Sequence, residues 1–162
     1  MTKALYALAV GGPNGNVLYV TNNAQNSNGD FYISTYTADT GALIKSNFIQ
    51  IKTAGLFGLA LQGNTLYVSV YSGSAPGVWT YDVSNPTQPV KKGPFVSVNE
   101  PWGIAIGSPP LNGQHPTLYV ASQQDPFAIY EFDATTGYPT GSIQLSGAPT
   151  NITVEPAAAL GN

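Results

Sequence analysis

Few side chains in this sequence are suited to chemistry. One histidine, His115, stands beside five lysines, no arginine, no cysteine and eight carboxylates in 162 residues. Histidine is the usual general base and metal ligand near neutral pH. His115, however, lies in the Gly/Pro-framed stretch Leu111–Pro116 and reads as an exposed loop histidine. One histidine without cysteine cannot build a zinc site unaided, because such sites take about three or four ligands mainly from those two types. The run Gly73-Ser74-Ala75-Pro76-Gly77 is not a GxSxG nucleophile elbow. A Ser-His-Asp triad would have to use His115, and no spacing supports one, so no catalytic residue is assigned.

The charges exclude more than they suggest. Only 8% of residues are charged, against about 25% in an average domain. Lys3, Lys45, Lys52, Lys91 and Lys92 are scattered over a net charge of −3, which does not make the clustered cationic face that phosphates require. Nucleic acid is therefore not an expected partner. Without arginine there is no bidentate guanidinium clamp, and no GxxxxGK[ST] run forms a phosphate cradle. Asp82 and Asp133 each stand immediately before a turn, where a carboxylate accepts hydrogen bonds from backbone N–H groups. No apolar run approaches the roughly 18 residues of a membrane span. Met1-Thr2-Lys3 followed by Ala4–Val10 superficially resembles a signal peptide, but the stretch aligns with later strands and lacks an A-x-A cleavage site.

The elements that would position any site come from an internal repeat. Leu-Tyr-Val occurs at Leu18–Val20, Leu66–Val68 and Leu118–Val120, with starts 48 and 52 residues apart. An aromatic-led apolar strand precedes each copy: Tyr6–Val10, Phe57–Leu61 and Trp102–Ile106. A third strand follows each, at Ile33–Tyr36, Val78–Tyr81 and Ile129–Phe132, and then a turn and a weaker fourth strand. Gly, Pro, Asn and Asp separate these segments; with 18 Gly and 13 Pro spread over the chain there is little room for helix. Four-stranded units of about 40 to 50 residues are the signature of β-propeller blades. The expected fold is thus all-β, with three four-stranded antiparallel repeats over residues 5–52, 56–98 and 101–146 and an extra strand over 151–155.

Leu18-Tyr19-Val20-Thr21-Asn22 contains the Y-V-T-N string of the YVTN β-propeller repeat, and Pro101-Trp102-Gly103-Ile104-Ala105 resembles the opening of NHL repeats. Phe132-Asp133-Ala134-Thr135-Thr136-Gly137 resembles the third-strand turn of both and of quinoprotein-type blades. The second repeat departs from it with Asp82-Val83-Ser84-Asn85-Pro86, and the first has Thr37 in place of Asp. The resemblance spans Leu5–Val154 and implies a fold more than an activity. Family topology places Asn22, Asn23, Asp30, Phe57, Tyr71 and Asn99 on one rim, together with Glu100, Trp102, Gln123, Gln124 and Asp125. His115 and the turns after Asp82 and Asp133 fall on the other rim. Asp30, Glu100 and Asp125 are the candidate Ca²⁺ ligands; no other cofactor is expected. Tyr6, Phe57 and Trp102 serve inter-blade packing or form an aromatic mouth suited to a sugar or flat ligand.

Three repeats fall short of the usual four to eight blades, about half a ring. Completion is expected either from a homodimer or from the remaining blades of a longer propeller. Two functions follow. One is a non-catalytic scaffold or binding module of a secreted or cell-envelope protein, holding a protein, glycan or small ligand on its rim. The other, implied by the resemblance, is part of a lactonase, lyase or quinoprotein-type enzyme whose site other blades complete.

Overall fold

Each Leu-Tyr-Val lies in the second strand of a four-stranded antiparallel sheet. The computed structural model describes residues 5–22, 29–52, 55–108 and 115–154. The first sheet contains β1 (Leu8–Gly11), β2 (Val17–Asn22), β3 (Phe31–Thr37) and β4 (Leu43–Ile51). The second contains β5 (Leu56–Gln62), β6 (Thr65–Val70), β7 (Gly77–Asp82) and β8 (Val90–Val96). The third contains β9 (Pro101–Gly107), β10 (Thr117–Ser122), β11 (Ala128–Asp133) and β12 (Pro139–Gln144). Strands pair in chain order within each sheet, the arrangement that short β-rich runs separated by Gly, Asn and Asp favour. Among the described residues the helical structure is one 3-10 turn over Pro13–Gly15, and no helix is long and apolar enough to cross a membrane.

The sheets stack face to face, and burial follows from position in the stack. In β2, buried and half-buried residues alternate, the period of a strand with one covered face. In β6 every residue from Leu66 to Val70 is buried, because the middle sheet is covered on both faces. Two cores result. One joins Tyr19, Ile33 and Ile49 of the first sheet to Leu59, Leu66 and Val68 of the second. The other joins Tyr67, Val78 and Val96 of the second to Ile104, Leu118 and Val120 of the third.

A hydroxyl following each Leu-Tyr-Val repeat ties the second strand to the first. Thr21 Oγ1 accepts from the Ala7 N–H at 2.9 Å and Ser69 Oγ accepts from the Gly58 N–H at 2.6 Å. Ser69 also donates to the Trp102 carbonyl at 2.7 Å, crossing from the second sheet to the third. In the third sheet the position shifts by one residue at a bulge, and Ser122 Oγ donates to the Asn99 carbonyl at 2.8 Å. Each hydroxyl is buried.

Tyr19 and Tyr67 occupy the same repeat position with opposite outcomes. The Tyr67 hydroxyl donates to the Ala134 carbonyl at 2.5 Å, whereas the Tyr19 hydroxyl is buried without a partner among the described residues. Burial pushes the Tyr19 phenol up to about 12. Tyr67→Phe should therefore cost about 1 kcal/mol in urea unfolding, while Tyr19→Phe should be neutral or stabilising. Equal costs would mean that the Tyr19 hydroxyl has a partner after all.

The extra strand expected over 151–155 is not paired into a sheet. Residues 151–154 run beside the free side of β9, where a Cβ on Gly103 would lie 2.9 Å from the Asn151 Cα. Among the described residues no second strand lies next to this segment for it to pair with, so it packs by its face alone; residue 155 falls outside the described residues.

Candidate functional site

Inner strands β1, β5 and β9 all begin at one rim, and each brings an aromatic there: Tyr6, Phe57 and Trp102. Tyr71 joins them from the end of β6. Phe57 and Trp102 stack with centroids 3.8 Å apart and planes 10° from parallel. Tyr6 and Tyr71 stand edge-on to both, at 5.1 and 6.4 Å for Tyr6 and 5.3 and 5.6 Å for Tyr71. Packing across sheets and an aromatic mouth are therefore one arrangement. Tyr6, Phe57 and Trp102 line one side of a cavity of about 640 Å³, with Tyr71 packed behind Phe57 and Trp102. Its other walls include Leu8, Leu18 and Val20 of the first sheet and Thr150–Thr153.

Glu100 adds the charge. It sits in the loop before β9 with φ of 46°, an uncommon conformation for a residue other than Gly, Asn or Asp. The Gln123 N–H donates to its carbonyl at 3.0 Å and holds that backbone. Its carboxylate stands beside the Tyr71 hydroxyl, whose pKa is raised by burial first and by this carboxylate second. Backbone held in a rare region tends to mark binding sites. The rim thus joins an aromatic cluster to a carboxylate.

The other expected rim residues divide into separate places. Asn99, Gln124 and Asp125 line a second cavity of about 470 Å³ with Ser97, Ser122 and Tyr130, between the loops before β9 and after β10. Gln123 lies between the two cavities and donates from Nε2 to the Pro149 carbonyl at 3.1 Å. Asn22 ends β2 opposite Tyr32 in the first sheet, and Asn23 lies outside the described residues. Asp30 is not a solvated loop charge: it is 4% exposed and accepts from Gln50 Nε2 at 2.7 Å. Asp30 is held by Gln50, Glu100 stands beside Tyr71 and Asp125 lines the second cavity, and among the described residues no three His, Asp or Glu side chains gather as a metal site.

On the opposite rim His115 has a partner that its loop context did not indicate. Its Nδ1 lies 2.6 Å from Asp133 Oδ2, while Asp133 Oδ1 accepts from the Thr135 and Thr136 N–H groups at 2.7 and 2.9 Å. Asp82 caps the equivalent turn through the Ser84 N–H at 3.0 Å. The Ser84 N–H and hydroxyl hold the Asp82 pKa below the ordinary value. For Asp133, partial desolvation works upward but is outweighed by Thr136, Thr135 and His115. A carboxyl whose folded pKa is depressed stabilises above its unfolded pKa and loses that contribution as pH falls through the folded value. Stability should therefore fall below about pH 4, and Asp82→Asn with Asp133→Asn should flatten that fall in acid melts. An unchanged acid limb in the double variant would remove these caps from the account.

No family model and no curated protein matches the chain. Solved structures do. The crystal structure of the RRP9 WD40 repeats and the structure of U3-55K each align with TM-score 0.60 and 12% identity, over 93% of this chain and 42% of theirs. The crystal structure of Myxococcus xanthus glutaminyl cyclase aligns with TM-score 0.56 and 15% identity, over 90% of this chain and 53% of that one. The three sheets are β-propeller blades. The chain spans about half or less of the length of the propeller-type structures it matches. Its blades make an arc whose inner strands bear the aromatic rim and whose β11–β12 turn lies at the far end.

The sequence pointed to Phe57, Tyr71, Glu100 and Trp102, and these four come together. It missed the role of Thr21, Ser69 and Ser122. Their signal was present as a hydroxyl next to or one residue beyond each Leu-Tyr-Val.

Proposed function

We propose that this chain is a non-catalytic β-propeller binding module of the YVTN/NHL repeat type that holds a sugar residue or similar flat, hydroxyl-bearing ligand against the aromatic rim. The observation that carries the proposal is the meeting of Tyr6, Phe57, Tyr71 and Trp102 from three blades beside a cavity of about 640 Å³. Aromatic faces bind the apolar face of a sugar ring, and the Glu100 carboxylate beside Tyr71 offers an acceptor for its hydroxyls. The paucity of cations favours neutral over anionic ligands. The repeat type rests on Leu18–Asn22 and Pro101–Ala105. A secreted or cell-envelope setting rests on the low charge and polar uncharged composition, and no resident cofactor is part of the proposal.

The chain has two tryptophans, Trp79 and Trp102, so Trp79→Phe leaves Trp102 as the sole tryptophan, excited selectively over the tyrosines. Titration with neutral oligosaccharides should give a saturable change in its emission. Trp102→Ala, checked for folding by circular dichroism, should weaken calorimetric binding about tenfold, or about 1.4 kcal/mol. Flat emission across glucan, xylan, chitin and mannan oligomers would defeat the proposal.

A further inference from the structure

The two cores between blades are one interface made twice. One half is a row of large apolar residues: Leu59, Leu66 and Val68 of the second blade, and Ile104, Leu118 and Val120 of the third. In ladder register the equivalents in the first blade are Leu8, Leu18 and Val20. The other half is a tyrosine with two β-branched residues: Tyr19, Ile33 and Ile49 in the first blade, Tyr67, Val78 and Val96 in the second. Its equivalents in the third are Tyr119, Ile129 and Ile143.

Each half thus occurs a third time, at the two ends of the arc. Leu8 is 65% exposed where Leu59 is 7% exposed, and Ile143 is 49% exposed where Ile49 and Val96 are 3% and 7% exposed. Val10, beside Leu8, is 53% exposed. Because these two halves fit one another inside the molecule, the open ends have the shape and chemistry to fit each other. We propose that a second copy of this chain covers both ends, the first blade of each seated on the third blade of the other. Two such contacts close a two-fold ring of about six blades, within the size range of propellers.

The last described residues oppose this closure. A Cβ on Gly103 would lie 2.9 and 3.0 Å from Asn151 and Ile152, much as one on Gly58 would lie 2.7 and 2.9 Å from Trp102 and Ile104. Asn151–Val154 therefore occupies the place on β9 that the partner's first strand must take. It has to leave for the ring to close, and the Gln123–Pro149 hydrogen bond is one of its tethers. Gln123→Ala loosens the segment and shifts the equilibrium toward the ring.

Sedimentation of the full chain over micromolar to near-millimolar concentration tests this. The mass should rise from 16.9 kDa to twice that value and stop there, and Gln123→Ala should lower the midpoint concentration. Leu8→Asp and Ile143→Asp alter exposed residues, so each should fold, as circular dichroism will report, yet stay monomeric; Val10→Asp is a second variant of the first end. Mixing Leu8→Asp with Ile143→Asp should restore dimer, since a mixed pair keeps one contact with both faces intact. A monomer at every concentration in both wild type and Gln123→Ala, a mass that grows without limit, or a mixture that stays monomeric would each overturn the proposal. A dimer joined by its two first blades would instead leave Ile143→Asp dimeric on its own, which would also overturn the proposal.

Discussion

Gly58→Val is expected to lower stability by about 3 kcal/mol or more, read as a fall in the urea midpoint. A Cβ at this position would lie 2.7 Å from the Trp102 carbonyl oxygen and 2.9 Å from the Ile104 nitrogen. Both are backbone atoms of β9, so no side-chain rotation relieves the clash. The third blade must move outward, and the contacts among Ala60, Ile104 and Val120 loosen with it. The shift also opens the Ser69–Trp102 hydrogen bond of 2.7 Å and separates Phe57 from Trp102. Rim and blade packing should therefore fail together, and Trp102 emission should change in the same variant. Gly147→Ala is the control: nothing lies within 4 Å of its Cβ, and it should stay within about 0.5 kcal/mol of the parent. A valine at 58 that leaves the midpoint unchanged would mean that the inner strands are not in contact there.

The second large effect is a difference between equivalent leucines. Leu66 and Leu118 are fully buried, each in a core between two blades. Leu66→Ala and Leu118→Ala should each cost about 2 to 5 kcal/mol through lost transfer energy and the cavity left behind. Leu18 holds the same place in the first blade but is only partly covered, bordering the open cavity. At micromolar concentration Leu18→Ala should cost about 1 kcal/mol or less. Under the proposed two-copy ring that cost should rise as concentration rises, because the second copy would bury the same face. Equal costs at all three leucines in dilute solution would show the first blade already covered within one chain.

The repeat was legible because it is local. Alternation of apolar residues over a few positions and turns of Gly, Asn and Asp report strand and loop without reference to the rest of the chain, so the strands around Leu-Tyr-Val could be located from residue types alone. The roles of Asp82 and Asp133 were legible for the same reason, since a capping carboxylate acts on N–H groups two or three residues ahead. What was not legible depended on contact between distant segments. Asp30 resembles a loop charge until Gln50, twenty residues on, is brought to it. His115 looked like an isolated loop residue because Asp133 approaches it across a sheet. Residues 151–154 carry the pattern of a strand yet lie unpaired, because ladder formation needs a neighbour that a pattern cannot supply.

By itself, the sequence determined that the chain is all-β, that it repeats a four-stranded unit, and that an aromatic leads each inner strand. These follow from composition, spacing and strand periodicity, which are properties of short stretches. Only the tertiary structure decided that the leading aromatics meet across three blades, that Tyr71 and Glu100 stand beside them, and that among the described residues Leu8 at one end of the stack and Ile143 at the other stay exposed. Those facts depend on how three sheets stack, and stacking is set by backbone approach at Gly58 and by side chains meeting from segments far apart along the chain.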